Sequence, residues 1–197
     1  MIPLHWREPM KIPGKCNHGV LDEAGHRKYV NEAERSKFLS VVLRIPERPR
    51  ALLMFLTYSG CRISEALMLE EEHLSLEDGM VTLKTLKRRR VVYRRVPVPG
   101  DIIRMLLDMG VCENGRFWDC NRVTAWRWVR NAMTQAGVRG PMGTCKGLRH
   151  AFGIRAASRN VPPNLIQRWM GHASQTTTAI YLDAVGPEER RFAERMW

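Results

Sequence analysis

Residues 144–183 read TCKGLRHAFGIRAASRNVPPNLIQRWMGHASQTTTAIYLD, and this stretch predicts three consecutive short helices. Thr144 can accept a hydrogen bond from the first turn of the first helix, and Asn160 suits a left-handed residue at its end. The pair Pro162–Pro163 can open a second helix, because proline is tolerated in a first turn. Gly171 can end that helix, so the segment predicts helix ends and tight turns close together in space.

The polar side chains of this stretch lie mostly near those predicted ends. Lys146 and Arg149 fall in the opening turns of the first helix, and His172 falls in the turn after the second. Ser174 is predicted to cap the third helix, which carries Tyr181. Two cations, a histidine and a tyrosine on neighbouring helix ends suit an anionic phosphate that is held and then attacked.

Composition favours a folded protein with a polyanionic partner. The chain has 197 residues, 44% of them hydrophobic, a formal net charge of +12 and a pI near 10.1. A hydrophobic content this high excludes a disordered chain, and the length allows one sizeable core. Because the longest apolar run, residues 51–58, is too short to span a bilayer, nucleic acid is a better candidate partner than a membrane. An inert basic surface is the alternative reading.

Cysteine usage points to a reducing compartment and to no metal. The chain has five cysteines, an odd number without paired spacing, and no signal peptide is recognisable at its start. Reduced thiols in a cytoplasmic protein are therefore expected. Cys16 and His18 supply only two ligand-type side chains, which is too few for a zinc site.

The predicted fold class is α+β and mainly α-helical, with a small antiparallel hairpin. Residues 1–28 read as an irregular N-terminal arm, and residues 29–197 as one domain. Alternating patterns predict strands over 80–83 and 91–98. Amphipathic or apolar patterns predict the remaining helices over residues 31–42, 51–58, 64–70, 101–109, 121–136 and 187–197.

Basic residues are concentrated in the predicted hairpin. Seven of the twelve residues from Lys84 to Arg95 are basic and none is acidic. Such a hairpin repels itself unless it is solvated or lies on phosphate, and the second interpretation is favoured here. A solvated hairpin that protects a sheet edge is the alternative. The residues predicted to contact DNA are Lys84, Arg88, Arg89, Arg90, Arg94 and Arg95, together with Arg122, Arg127 and Arg130 on the helix over 121–136.

That helix carries two tryptophans on different faces. Val123, Trp126, Val129 and Met133 are spaced for one buried face. Trp128, two residues from Trp126, cannot share it and is expected to be half exposed.

The chemical pattern resembles the tyrosine recombinases, the phage integrase family. Their pattern is a His or Lys, two residues, Arg-His, then Leu/Met-Gly-His and a Tyr nine residues after that histidine. The matching residues are Lys146, Arg149-His150, Met170-Gly171-His172 and Tyr181, and an upstream box, TYSGCRISEAL, holds Arg62 and Glu65. The resemblance covers residues 31–183, with separate boxes in the expected order.

The resemblance implies cleavage of a DNA phosphodiester by transesterification, without a metal or a nucleotide cofactor. Tyr181 would attack the phosphorus to form a 3′-phosphotyrosyl link, while Arg62 and Arg149 bind the phosphate. A lysine of the hairpin would protonate the leaving 5′-oxygen. Lys87 is the preferred candidate for this role and Lys84 is the second.

Four further roles follow from the resemblance. His172 would donate to a phosphate oxygen or orient the nucleophile, and Glu65 would brace Arg62. Lys146 stands where many members have histidine, so the acceptor of the tyrosine proton stays open. His150 is expected to pack or hydrogen-bond structurally.

Partners and alternatives also follow from the resemblance. A tetramer assembled on DNA is expected, with a helper protein possible because the arm is too short for the separate DNA-binding domain of long integrases. The helix over 187–197 either docks on an adjacent protomer or folds back on its own domain. A cytoplasmic, nucleoid-associated protein of a bacterium, phage or plasmid is expected. The alternatives are a type IB topoisomerase and a non-enzymatic DNA-binding regulator.

Overall fold

The computed structural model describes residues 19–85, 91–181, 190, 193 and 194, and about half of these residues lie in helices. The predicted α+β class with a predominance of helix is confirmed. In the described part of the chain the helices are α1 (Glu32–Val42), α2 (Glu47–Ser59), α3 (Ile63–Ala66), α4 (Gly100–Met109), α5 (Arg122–Gln135), α6 (Cys145–Ser158), α7 (Pro163–Met170) and α8 (Thr176–Ala179), with a 3-10 turn at Glu71–His73.

The predicted hairpin is present as part of a three-stranded antiparallel sheet. Strands β1 (Leu74–Ser75), β2 (Met80–Thr85) and β3 (Val92–Pro97) are hydrogen-bonded in that order. Leu83 faces Arg94 across the ladder, and side chains alternate between a buried and a more exposed face along both long strands. Strand β1 was not predicted, because two residues are too few to show an alternating pattern.

Local capping confirms two of the predicted helix starts. The Asn31 side chain accepts the backbone N–H of Glu34, while the Glu34 carboxylate accepts the backbone N–H of Asn31, so a full capping box opens α1. The Thr144 hydroxyl accepts the N–H of Gly147 at the start of α6. Each such cap stabilises a helix by about 1 kcal/mol.

Helix α2 is the centre of the main core. It begins at Glu47, one turn before the predicted start, and seven of its side chains are buried. It packs against α1, α4, α5 and α6. Gly60 ends it with a φ of 60°, and a Cβ there would lie 2.4 Å from the Cδ1 of Phe152. Both the backbone conformation and the approach of α6 therefore require glycine at this position.

The prediction of which face of α5 is buried is wrong in part. Val123 and Trp126 are 56% and 46% exposed, and Trp128 is the tryptophan that packs against the core. Small side chains allow α5 to lie close against α1 and α2, so the large apolar residues one face away are left outside. The buried residues are Ala125, Val129, Ala132 and Met133.

The described part of the N-terminal arm, residues 19–28, contains no helix and one isolated bridge, between Leu21 and Arg27. Val20 and Tyr29, on either side of this turn, are buried in a second apolar cluster formed with residues of α6 and α7 and with Tyr181. Residues 1–18 lie outside the described residues. So does the predicted C-terminal helix, apart from Arg190, Ala193 and Glu194.

Within the described ranges, no helix is both long enough and apolar enough to cross a membrane.

Candidate active site

One pocket of about 530 Å³ collects the polar residues of both sequence boxes. Among the described residues that line it there are four cationic side chains and one carboxylate, so the pocket is positively charged. Lys87, the sixth predicted catalytic residue, lies outside the described residues. The polar lining consists of Arg62, Ser64, Glu65, Arg122, Lys146, Arg149, His150, His172, Thr177 and Tyr181.

The break between α2 and α3 joins the two boxes. Arg149 donates from Nη1 to the carbonyl oxygen of Gly60 over 2.7 Å, although the two residues are 89 positions apart in sequence. Arg62 occupies the position just before α3. The predicted helix over 64–70 is shorter than expected and ends at Ala66, so the box is a turn followed by a single helical turn.

Glu65 is a fully buried carboxylate that holds two arginines. Its Oε1 lies 3.0 Å from Nη1 of Arg62, and its Oε2 lies 2.6 Å from Nη2 of Arg94. Burial alone would raise the pKa of the Glu65 carboxyl, but the hydrogen bonds and charges of Arg94 and Arg62 hold that pKa below its ordinary value. The ion pair expected between Arg62 and Glu65 is therefore present, with a second arginine added.

Arg94 is not a surface residue, which corrects its prediction as a DNA contact. Its side chain is 5% exposed, and its guanidinium also donates to the hydroxyl of Thr85 and to the carbonyl oxygen of Trp169. The alternation of β3 places it on the inner face of the sheet. A run of basic residues does not show which members face inward; among those described, Arg94 is buried, whereas Lys84 and Arg95 lie on the opposite face of the sheet.

We expect Glu65→Gln to lower the free energy of unfolding by about 3–5 kcal/mol, because removing one partner leaves buried charge uncompensated. Urea unfolding at neutral pH measures this. A carboxyl with a lowered pKa stabilises the fold above its unfolded pKa, and this contribution is lost as pH falls through the folded value. The difference between Glu65→Gln and the native protein should therefore shrink in acid.

Asp78→Asn is the matched control for that prediction. Asp78 pairs with Arg95 on the surface, with both side chains more than half exposed. Exposed pairs contribute little because solvent and salt screen them, so Asp78→Asn should change the free energy of unfolding far less than Glu65→Gln does. Equal losses for Asp78→Asn and Glu65→Gln would show that Glu65 does not organise the interior.

The carboxyl end of α7 is bound by two arginines. The carbonyl oxygen of Met170 accepts a hydrogen bond from Nη2 of Arg149, and that of Trp169 accepts one from Nε of Arg94 over 2.8 Å. Cations are favoured at this end of a helix because its last carbonyls are unpaired and carry partial negative charge. Gly171 adopts a φ of 62°, and a Cβ there would lie 3.0 Å from Cζ of Arg94. The Met-Gly-His box thus fits beneath a guanidinium group.

Arg149 stays charged despite its surroundings. Burial, followed by repulsion from Arg62, lowers the pKa of its guanidinium to about 10, which leaves it protonated at neutral pH. Two carbonyl oxygens fix its orientation, and its remaining N–H groups are available to an anion in the pocket.

Tyr181 is buried against α6. Its side chain is only 1% exposed, and a Cβ added to Gly153 would lie 2.7 Å from its ring. The ring stacks on that of His172 with centroids 5.9 Å apart. Burial raises the pKa of the phenol to about 12, although Arg149 and Arg62 oppose this shift. The hydroxyl lies 3.2 Å from Nδ1 of His150, a contact that the sequence did not predict.

The third predicted helix is shorter than expected. Helix α8 has four residues and begins after Gln175, whose side chain makes no cap. The Ser174 hydroxyl instead accepts the N–H of Thr176, so the predicted cap is displaced by one residue. Because α8 ends at Ala179, Tyr181 follows the helix rather than lying within it.

Both histidines of the pocket are neutral at physiological pH. Burial lowers the pKa of His172 to about 3, with help from Arg149 and Arg62. Burial also lowers the pKa of His150 to about 4, with help from Lys146, Arg149 and Lys28. The Nδ1 atom of His172 lies 2.9 Å from the hydroxyl of Thr178, which ties α8 to the turn after α7.

A sequence model of the phage integrase family matches residues 28–185. The chain belongs to the phage integrase family.

Curated relatives of this chain are tyrosine recombinases. It is 26% identical over 180 residues to the tyrosine recombinase XerA of Pyrococcus furiosus, a match that covers 85% of this chain and 61% of the relative. It is 32% identical over 150 residues to the tyrosine recombinase XerD of Mycobacterium leprae, covering 68% of this chain and 47% of the relative. The chain thus spans about half to three fifths of the length of these relatives.

Solved structures share the fold of this chain. The crystal structure of XerA recombinase superposes with a TM-score of 0.74 at 23% identity, covering 85% of this chain and 64% of that one. The XerH site-specific recombinase bound to difH substrate, in a post-cleavage complex, gives a TM-score of 0.71 at 26% identity, covering 90% of this chain and 55% of that one.

The other predicted DNA-contact residues are spread over two surfaces. Arg122 lines the pocket, Arg127 is exposed on α5, and Arg130 donates to the carbonyl oxygen of Gly143 and lies over the ring of Trp126 at 5.9 Å. Lys84 and Arg95 lie on the outer face of the sheet. The predicted contacts Arg88, Arg89 and Arg90 lie outside the described residues.

Proposed function

We propose that this chain is the catalytic domain of a site-specific DNA recombinase that cuts and rejoins DNA through a 3′-phosphotyrosyl intermediate. The observation that carries the proposal is the meeting of Arg62, Lys146, Arg149, His172 and Tyr181 in one positively charged pocket. These residues come from both boxes and surround space for a phosphodiester. The family to which the chain belongs supports the same chemistry.

The two pocket arginines suit a phosphorus that becomes pentavalent. Each guanidinium is held by protein acceptors, Arg62 by Glu65 and Arg149 by two carbonyl oxygens, so little reorganisation is needed when the anion binds. Charge on the non-bridging oxygens grows in the transition state, and fixed donors stabilise that state more than the ground state. Tyr181 then bonds to phosphorus, and the energy of the broken ester is kept in the new one.

The leaving 5′-oxygen needs a proton, and Lys87 is the proposed donor. Lys84 is half-buried on the face of β2 opposite Thr85, whose hydroxyl binds Arg94 at the pocket side of the sheet. That orientation favours Lys87, which follows in the hairpin connection, over Lys84.

We expect Lys87→Ala to slow cleavage by about 10²–10⁴-fold, because a leaving alkoxide is a strong base. A substrate with sulfur in place of the bridging 5′-oxygen should restore the rate, since a thiolate leaves without an acid. Single-turnover cleavage of both substrates measures this. Lys84→Ala is the matched control, and rescue of that variant instead would make Lys84 the acid.

The proposed partner is double-stranded DNA. The basic hairpin and the arginines of α5 supply phosphate contacts, and the net charge of +12 favours binding. Similar proteins have been solved with DNA, among them the XerH recombinase with difH substrate and the Tn1549 transposon integrase with circular intermediate DNA. The proposed active assembly is a tetramer that holds two DNA sites, with or without a helper protein. The proposed location is the cytoplasm, where the protein would act on nucleoid, phage or plasmid DNA.

The direct test uses nicked duplexes from the neighbourhood of the coding sequence. A nick placed a few nucleotides beyond the cleavage point makes the fragment with the new 5′-hydroxyl very short. This fragment diffuses away after cleavage, so the strand cannot be rejoined and the covalent adduct accumulates. A protein–DNA adduct that survives denaturation supports the proposal. Exchanged strands from two duplexes indicate recombination, relaxation of supercoils alone indicates a topoisomerase, and binding without any adduct indicates a regulator.

A further inference from the structure

We infer that His150 is the general base that accepts the proton of Tyr181 during cleavage. The inference rests on the function proposed above and identifies a group which that function requires. A neutral phenol is a poor nucleophile, so its proton must go to a positioned acceptor as the bond to phosphorus forms.

Geometry selects His150. Its Nδ1 atom lies 3.2 Å from the Tyr181 hydroxyl, within hydrogen-bond reach, and the two rings are tilted by 58° with centroids 5.7 Å apart. Both side chains are buried, so water does not compete for the contact. The imidazole is held on α6 one residue after Arg149, which places the base beside the proposed phosphate ligand.

The other candidates in the pocket fit the role less well. Lys146 is exposed, and as an ammonium group it offers three donors and no acceptor. His172 stacks on the ring of Tyr181, and its Nδ1 contacts Thr178 rather than the phenol. Glu65 is committed to two arginines.

The state of the His150 ring also fits an acceptor. Burial, then the charges of Lys146, Arg149 and Lys28, holds its pKa near 4, so the ring is neutral at neutral pH. Nε2 is buried and has no hydrogen-bond partner among the described residues, so nothing opposes the tautomer with its proton on Nε2 and the Nδ1 lone pair facing the phenol. A bound phosphodiester adds a negative charge that offsets the three cations and makes Nδ1 more basic.

The step balances as follows. The bond between phosphorus and Oη of Tyr181 forms as the bond to the 5′-oxygen breaks. The phenol proton moves to Nδ1 of His150, and the 5′-oxygen takes a proton from the hairpin lysine, Lys87. In the rejoining step the 5′-hydroxyl attacks phosphorus and gives its proton back to Lys87, the bond to Tyr181 breaks, and His150 returns its proton to Oη.

The test combines His150→Asn with a fluorinated tyrosine at position 181. Asparagine places an acceptor near the position of Nδ1 but cannot take a proton. We expect single-turnover capture of the nicked duplex to fall by about 10²–10³-fold without loss of DNA affinity. A fluorinated phenol ionises more readily, so it should restore at least about ten-fold of the loss in His150→Asn, while changing capture by the otherwise native protein far less.

Lys146→Gln is the matched control. Rescue by the fluorinated tyrosine in Lys146→Gln but not in His150→Asn would overturn the proposal and make Lys146 the base. Absence of rescue in His150→Asn would also overturn it, since a structural role is insensitive to the acidity of the phenol. If urea unfolding shows that His150→Asn does not fold, His150→Gln repeats the test. The unmodified protein and Tyr181→Phe run beside these variants, so failure of the cleavage chemistry itself is recognised separately.

Discussion

Tyr181→Phe is expected to abolish covalent capture of a nicked duplex while leaving DNA binding within about two-fold of the native value. The change removes the only atom proposed to bond to phosphorus, so capture should fall by at least about four orders of magnitude. The ring keeps its packing on Gly153 and His172, and only the hydrogen bond to His150 is lost. Denaturing electrophoresis for the adduct and a mobility shift for binding measure the two quantities.

Tyr93→Phe is the control for this prediction. Tyr93 is 56% exposed on β3 and stands apart from the pocket, so its hydroxyl should be dispensable. Capture that persists in Tyr181→Phe, or that disappears in Tyr93→Phe with unchanged binding, would contradict the assignment of Tyr181 as nucleophile.

Arg149→Lys is expected to lower the rate of capture by about 10²–10³-fold, even though charge is conserved. A lysine ammonium is a point charge that cannot bind two carbonyl oxygens and two phosphate oxygens at once, as a guanidinium fork can. The carbonyl oxygens of Gly60 and Met170 would lose a fixed donor, so the carboxyl end of α7 would also be less well held. Single-turnover capture at saturating DNA separates this effect from binding.

Arg104→Lys provides the matched control, because Arg104 is exposed on α4 outside the pocket. It should capture DNA at a rate within about three-fold of native. A loss in Arg149→Lys that saturating DNA removes would show that Arg149 contributes binding rather than stabilisation of the transition state.

The sequence predicted those features that local chemistry determines. Thr144, Asn160 and Gly171 adopt the cap and turn conformations expected of them, because a cap involves only neighbouring residues. The residues of both boxes line one pocket, as the resemblance implied. No sequence spacing indicates that residues 62 and 149 are neighbours.

Features that depend on tertiary packing were less predictable. Arg94 was placed on the surface because a charge run does not show which of its members faces inward. Trp126 was placed in the core because the apolar spacing of α5 fits two overlapping faces, and the close approach of α1 and α2 selects the one with alanines. The contact between His150 and Tyr181 spans 31 residues and a change of direction at Gly171, so no local pattern indicates it.

The most direct test of the central claim is a crystal structure of the protein with a duplex interrupted at the cleavage point and vanadate bound there as a mimic of pentavalent phosphorus. We expect vanadium bonded to Oη of Tyr181, with equatorial oxygens accepting hydrogen bonds from Arg62 and Arg149 and with Nδ1 of His150 still beside the phenol oxygen. Vanadate bound elsewhere, or bound in the pocket without contact to Tyr181 and both arginines, would contradict it.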